Sequence, residues 1–125
     1  MRKQYHFRRS GEDVLIWDCD RLVALSAGLP RETIPVESIR ELDEAYWGAD
    51  DGVRMTCREV VEHMRLVEEA DLSFPIILSS DGRVMDGMHR VARALLEGRA
   101  EIEAVRFRED PKPDYMNVRE SDLPY

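Results

Sequence analysis

Apolar positions along the chain come in short runs with clear stops between them. Val14-Leu15-Ile16-Trp17 has the length and composition of a buried strand. Asp18 can cap a helix running to about Ala27, with Gly28 ending it and Pro30 just beyond. Thr33-Ile34-Pro35-Val36 is extended, because the residue before a proline is pushed out of helical space. Ser38-Ile39-Arg40-Glu41 has capping-box spacing, with the serine oxygen on the N3 amide and Glu41 reaching back to the cap. It predicts a helix presenting Ile39, Leu42 and Tyr46 on one face, broken by a loop at 47–52 (WGADDG).

Thr56-Cys57-Arg58-Glu59 repeats the capping box. Behind it Cys57, Val60, Val61, Met64 and Val67 recur at the period of an amphipathic helix. Phe74 to Ser79 reads as a strand. Asp81-Gly82 turns it into a second, Arg83-Val84-Met85. A helix from about Met88 to Glu97 turns Val91, Ala92 and Leu95 inward, with Gly98 past its end. Ala100 to Phe107 is a last strand. The predicted order β-α-β-α-α-β-β-α-β, with a hairpin inside it, makes an α+β fold: a single compact domain with a small mixed sheet flanked by helices. Residues 1–13 are read as an N-terminal arm, 14–108 as the domain and 109–125 as a C-terminal tail.

Composition narrows the class. The chain has 125 residues, 43% of them hydrophobic, enough for one domain with a real core. No apolar run approaches the ~20 residues that span a bilayer. The basic segment from Met1 to Arg9 has no apolar stretch behind it, so no secretory leader is expected. Cys19 and Cys57 belong to no metal-type spacing, and a reduced, cytoplasmic setting is the expectation. With 18 basic against 26 acidic residues the net charge is −8, which argues against nucleic acid as a partner. The one basic cluster that could oppose this is Arg2, Lys3, Arg8 and Arg9.

Candidate chemistry concentrates in 81–98, DGRVMDGMHRVARALLEG. A strand ends at Asp86, Gly87 follows, and a helix opens at once. The first amides of such a helix face whatever lies before it, with the positive end of the dipole behind them. Gly87 admits a ligand close to the backbone. The amides of Gly87 and Met88, with the side chains of His89, Arg90 and Arg93, form a candidate phosphate site. Asp86 could orient Arg90, hold a metal, or take a proton from a hydroxyl. The same spacing also fits a plain structural turn, with Arg93 paired to Glu97 on the helix surface.

The stretch DGMHRVARALLEGRAEIEAV resembles the core motif of the ParB/sulfiredoxin-like superfamily, and the hairpin PIILSSDGRVMDG and the segment IPVESI fit the same pattern. The resemblance spans roughly 33–107. It implies a ParB/sulfiredoxin-like fold whose glycine-basic helix start binds nucleotide phosphates, as CTP in partition proteins and ATP or ADP in sulfiredoxins and free-serine kinases. The departures sort the branches. Met88 stands where sulfiredoxins have a reactive cysteine, and a thioether cannot do that chemistry. Met88-His89-Arg90 also replaces the acidic-basic-basic sequence of the partition proteins, and their further helical and dimerisation domains are not expected in 125 residues. The Asp-Gly-x-His-Arg form is closest to the kinase-like branch. That branch implies Asp86, His89 and Arg90 as catalytic residues in phosphoryl transfer or nucleotide hydrolysis, with a separate acid as base.

Glu41, Asp43 or Glu44 could supply that acid. Asp50 and Asp51 could help to hold Mg²⁺ on a bound nucleotide, since that ion takes one or two carboxylates plus phosphate oxygens. His63 reads as a surface residue on the polar face of its helix. Trp47 could stack on a base if its loop covers a nucleotide. Both cysteines fall on apolar faces, where burial is the default. Tyr115, Met116, Leu123 and Tyr125 would pack the tail on the domain or on a second subunit, making a homodimer. The partner expected is a nucleotide or phosphorylated small molecule; a non-catalytic ligand-sensing or protein-interaction module and a DNA-associated protein or nuclease are the alternatives.

Overall fold

The computed structural model describes residues 3–47 and 55–125. The expected α+β architecture is present, with three α-helices and two sheets among the described residues. Strands β1 (Tyr5–Ser10) and β2 (Asp13–Asp18) form an antiparallel hairpin, and helix α1 (Cys19–Ser26) follows. Asp18 caps α1 by accepting from the Asp20 amide at 2.9 Å. Strand β3 (Glu32–Pro35) leads into two short 3₁₀ turns, Val36–Ser38 and Arg40–Asp43. Then come α2 (Cys57–Glu69), β4 (Ile76–Leu78), β5 (Val84–Asp86), α3 (Met88–Leu96), β6 (Glu101–Arg106) and β7 (Tyr115–Met116).

The larger sheet has the order β3-β6-β4-β5. Strand β4 runs parallel to β6 and the other pairs are antiparallel, so the sheet is mixed. Side chains alternate across it. Ile76, Leu78, Val84 and Ala104 pack with Met88, Val91 and Ala94 of α3 on one face. Ile77, Met85, Val105 and Phe107 pack with Trp17 and Leu22 on the other. The sheet is the middle layer, and α3 starts from its β5 edge.

Several expectations need correction. Within the segment read as an N-terminal arm, 5–10 is strand β1, in register with β2 from Tyr5–Asp18 to Ser10–Asp13. The C-terminal tail 109–125 packs on its own chain, the first of the two alternatives open to it. Tyr115 and Met116 pair with β2, and Tyr5 Oη donates to the Pro124 carbonyl at 2.5 Å. Pro111 supplies its carbonyl to the Trp17 indole N–H at 2.8 Å, the partner a buried indole requires. The tail residues thus complete a sheet of order β1-β2-β7 within the same chain.

The helix expected after Ser38 is absent. Ser38 Oγ donates back to the Pro35 carbonyl at 2.6 Å, and Glu41 is 3% exposed, its Oε2 accepting from the Val84 amide at 2.7 Å. The capping-box spacing is there, but satisfying the free amide of β5 fixes Glu41 instead. In α3 the inward residues are Met88, Val91 and Ala94, whereas Leu95 is 46% exposed. The capping box of α2 is as expected: the Glu59 amide donates to Thr56 Oγ1 at 3.2 Å and the Thr56 amide to Glu59 Oε1 at 3.3 Å. Yet no residue of α2 is buried, and Cys57 is exposed while Cys19 is buried. Among the described residues no helix is long and apolar enough to cross a membrane.

Candidate functional site at the start of helix α3

Strand β5 delivers Asp86 to the sheet edge, and Gly87 turns the chain into α3 with φ 105°. That left-handed conformation is strained for any residue with a Cβ. Space also demands glycine here. A Cβ would lie 2.8 Å from Ile76 Cγ2 and 2.6 Å from Arg90 Nη2. The void is filled by Arg90, which folds back one helical turn and donates from Nη2 to Asp86 Oδ2 at 3.2 Å. Arg90 Nε is buried there without a hydrogen-bond partner among the described residues. Gly87 brings no side chain to cap α3, and the Asp86 carboxylate, against the Gly87 amide, is the acid beside that helix end.

Asp86 is held in a tight setting. Burial pushes its pKa up, opposed by the Arg90 guanidinium and the Gly87 amide, with Asp20 adding to the rise. Cys19 neighbours it, and burial followed by the charge of Asp86 lifts that thiol to about 12. So Cys19 stays protonated at neutral pH and is no nucleophile. The Tyr46 hydroxyl is raised for the same reasons, burial first and then Asp86.

His89 reaches the other way, into a cluster the sequence did not disclose. Its Nε2 lies 2.8 Å from Nδ1 of His63 on α2. The Trp47 ring stacks on both imidazoles, with centroids 4.6 Å away in each case. Burial, then His63, then Arg90 depress His89 to about 4. Burial also lowers His63, against the pull of Glu59 and Glu62. Both rings are therefore neutral at pH 7, and one donates to the other. His63 is no isolated surface residue, and Trp47 stacks on the two imidazoles while staying 36% exposed. The only sequence cue would have been His63 and Trp47 facing the α3 start, which needs the packing of α2 on α3 to be known.

The other expected residues divide clearly. Met88 is on site by its backbone, while its side chain is buried in the core. Arg93 is not brought to the junction. It donates from Nη1 to the carbonyls of Glu68 at 2.6 Å and Ala70 at 2.7 Å, and from Nε to Glu97 at 3.0 Å. It secures the C-terminal end of α2, whose last carbonyls lack helical partners. Glu41 serves the Val84 amide, Glu44 receives a two-pronged bond from Arg83 at 2.7 and 2.8 Å, and Asp43 is exposed. Asp50 and Asp51 lie outside the described residues. Among the described residues no three His, Cys, Asp or Glu gather to hold a metal ion. Of the described members of the basic N-terminal cluster, Lys3 pairs with Asp18 at 2.8 Å and Arg8 with Asp110 at 3.2 Å.

No family model matches the chain, and neither a curated protein nor a solved structure matches it.

Proposed function

We propose that the Asp86–Arg90 junction binds the phosphate of a nucleotide or another phosphorylated small molecule. The observation that carries this reading is the Arg90 guanidinium, held over Gly87 with one carboxylate contact and a buried, unpartnered Nε. A planar fork of that kind matches phosphate oxygens in pairs. The Gly87 and Met88 amides and the α3 dipole would add to the attraction. His89 bonds His63 through Nε2, which leaves Nδ1 as its atom for a ligand. The resemblance of the Asp86–Arg90 motif to nucleotide-binding helix starts supports the same conclusion.

Asp86, His89 and Arg90 would carry any phosphoryl transfer or nucleotide hydrolysis, by positioning and charge stabilisation. Arg90 already holds the Asp86 carboxylate at the junction, and among the described residues no three His, Cys, Asp or Glu gather to hold a metal ion by themselves, so Mg²⁺ there would depend on the phosphate oxygens of a bound ligand. A second reading, binding without turnover, is favoured by the commitment of Glu41 to Val84 and Glu44 to Arg83. That removes two of the three acids available as a base.

The test is a thermal-shift panel of inorganic phosphate, ATP, ADP, CTP and GTP on the wild type and Arg90→Lys. Ligand at ~100 times its dissociation constant stabilises the native state by about 2.7 kcal/mol. A shift for a phosphorylated ligand that Arg90→Lys abolishes supports the reading. No shift with any of them overturns it.

A further inference from the structure

We infer that the junction extends through His89 to His63, a positioning residue that lets His89 present an Nδ1–H to a bound anion. The inference rests on the phosphate reading of Asp86–Arg90. His89 is the second residue of α3, next to Arg90 in the turn that faces the junction. Its far nitrogen, Nε2, reaches Nδ1 of His63 on α2 at 2.8 Å. The near nitrogen, Nδ1, is joined directly to Cγ and so stays beside the first turn of α3. It has no partner among the described residues and is not sealed from solvent. On His63 the arrangement is reversed. There the near nitrogen makes the contact, and the far one, Nε2, is left open among the described residues.

The geometry makes the two rings one proton-carrying unit. Their centroids lie 5.0 Å apart with 24° between the planes, so the rings meet edge to edge with the two nitrogens facing. Trp47 lies over both, at 13° to His89 and 25° to His63, and keeps them near a common plane. A neutral imidazole has one ring N–H, and the gap between the rings holds a single proton. Two arrangements of the neutral pair satisfy both conditions. In the first, His89 donates from Nε2, its Nδ1 is bare, and His63 is protonated on Nε2. In the second, His63 donates from Nδ1 and His89 is protonated on Nδ1.

Surrounding charge selects between them. Arg90 and the positive end of α3 lie beside His89, whereas Glu59 and Glu62 of α2 act on His63. That field draws protons toward the His63 end, so the unliganded pair takes the first arrangement. A phosphate dianion at the junction reverses the field, and its acceptor oxygens need an N–H opposite them. The pair then changes to the second arrangement. The gap proton crosses from His89 to His63, His63 releases its Nε2 proton to water, and His89 Nδ1 takes one from water. No net proton is bound, and both rings stay neutral. His63 touches no ligand: it acts by holding the gap proton, so that His89 can donate from Nδ1 without leaving Nε2 unpaired.

Long-range ¹H–¹⁵N spectra of the imidazole rings at about pH 8, with and without inorganic phosphate, test it on the full chain. Without phosphate both rings should carry their N–H on Nε2; at saturation both should carry it on Nδ1. His63→Asn keeps an N–H on Cγ, where Nδ1 stood, and should hold phosphate affinity within about twofold. His63→Phe keeps a ring under Trp47 without a donor, and should weaken affinity about tenfold with unchanged circular dichroism. An Nδ1–H on His89 before phosphate is added overturns the inference. So does a phosphate complex in which His89 Nδ1 is bare or both its nitrogens are protonated. Phosphate binding by His63→Phe as tight as by the wild type, or by His63→Asn as weak as by His63→Phe, also overturns it. If phosphate moves the Gly87 and Met88 amide resonances but not the tautomers, this inference alone fails. If it moves neither, the phosphate reading fails and takes the inference with it.

Discussion

His63 and His89 share a hydrogen bond of 2.8 Å between two helices, under the ring of Trp47 that stacks on both. Two neutral imidazoles can satisfy this arrangement, and a second proton on the pair cannot be accommodated without repulsion. His89 is held at about 4, and His63 is lowered as well. Buried His6 shifts the same way, to about 4, through burial and the nearby Arg8. Each folded pKa lies below the unfolded value of ~6.5, so the unfolded chain takes up protons first as pH falls.

Stability should therefore be fully present above about pH 6.5 and decline as pH drops toward 4. Asp86 works in the opposite sense near the acid end, since its folded pKa is raised. Urea midpoints at pH 7, 5.5 and 4.5 check this. The midpoint should fall with pH, and His89→Gln should flatten the slope. A midpoint that rises on acidification contradicts it.

Glu41 is a structural acid. Its carboxylate accepts from the Val84 amide, which lies at the buried edge of β5. Glu41→Ala leaves that amide without an acceptor and should cost about 2–3 kcal/mol. Glu41→Gln keeps an acceptor oxygen and should cost about 1 kcal/mol, the loss being attraction to Arg83. Chemical denaturation of the two variants measures the difference, and equal losses would count against the assignment.

Arg93 and Arg90 sit one turn apart yet should behave differently. Arg93→Ala unties the C-terminal end of α2 and should destabilise by about 1–2 kcal/mol. Phosphate affinity should not change. Arg90→Lys should do the reverse, losing ligand with a smaller effect on folding. Paired denaturation and calorimetric titration separate the two.

Removing 109–125 should cost more than ~2 kcal/mol, because Trp17 loses its acceptor on Pro111 and Arg8 its partner Asp110. A truncated chain with an unchanged melting temperature would show that the segment is dispensable.

What the sequence disclosed follows from the range of each signal. The Thr56 cap, the Asp81-Gly82 turn and the Gly87 helix start depend on residues within four positions of one another, and all three are where the pattern places them. Strand β1 was missed because Tyr5-His6-Phe7-Arg8-Arg9 lacks a clean apolar alternation; its pairing with β2, and the tail's with β2 in turn, supplies the order. The Ser38 box failed because Glu41 found a better donor 43 positions away. The candidate site was half legible for the same reason. Asp86, Gly87 and Arg90 meet within one turn, whereas His63 reaches His89 only through the packing of two helices.

The central claim is that a phosphate sits at the start of α3, and amide-resolved NMR tests it most directly. Titrating inorganic phosphate and then ATP into the ¹⁵N-labelled protein should move the Gly87, Met88 and His89 amide resonances along saturable curves. The same titration of Arg90→Lys should leave them nearly still. Resonances that do not move in the wild type, or that move equally in Arg90→Lys, would contradict the account and leave Asp86-Gly87 as a structural turn.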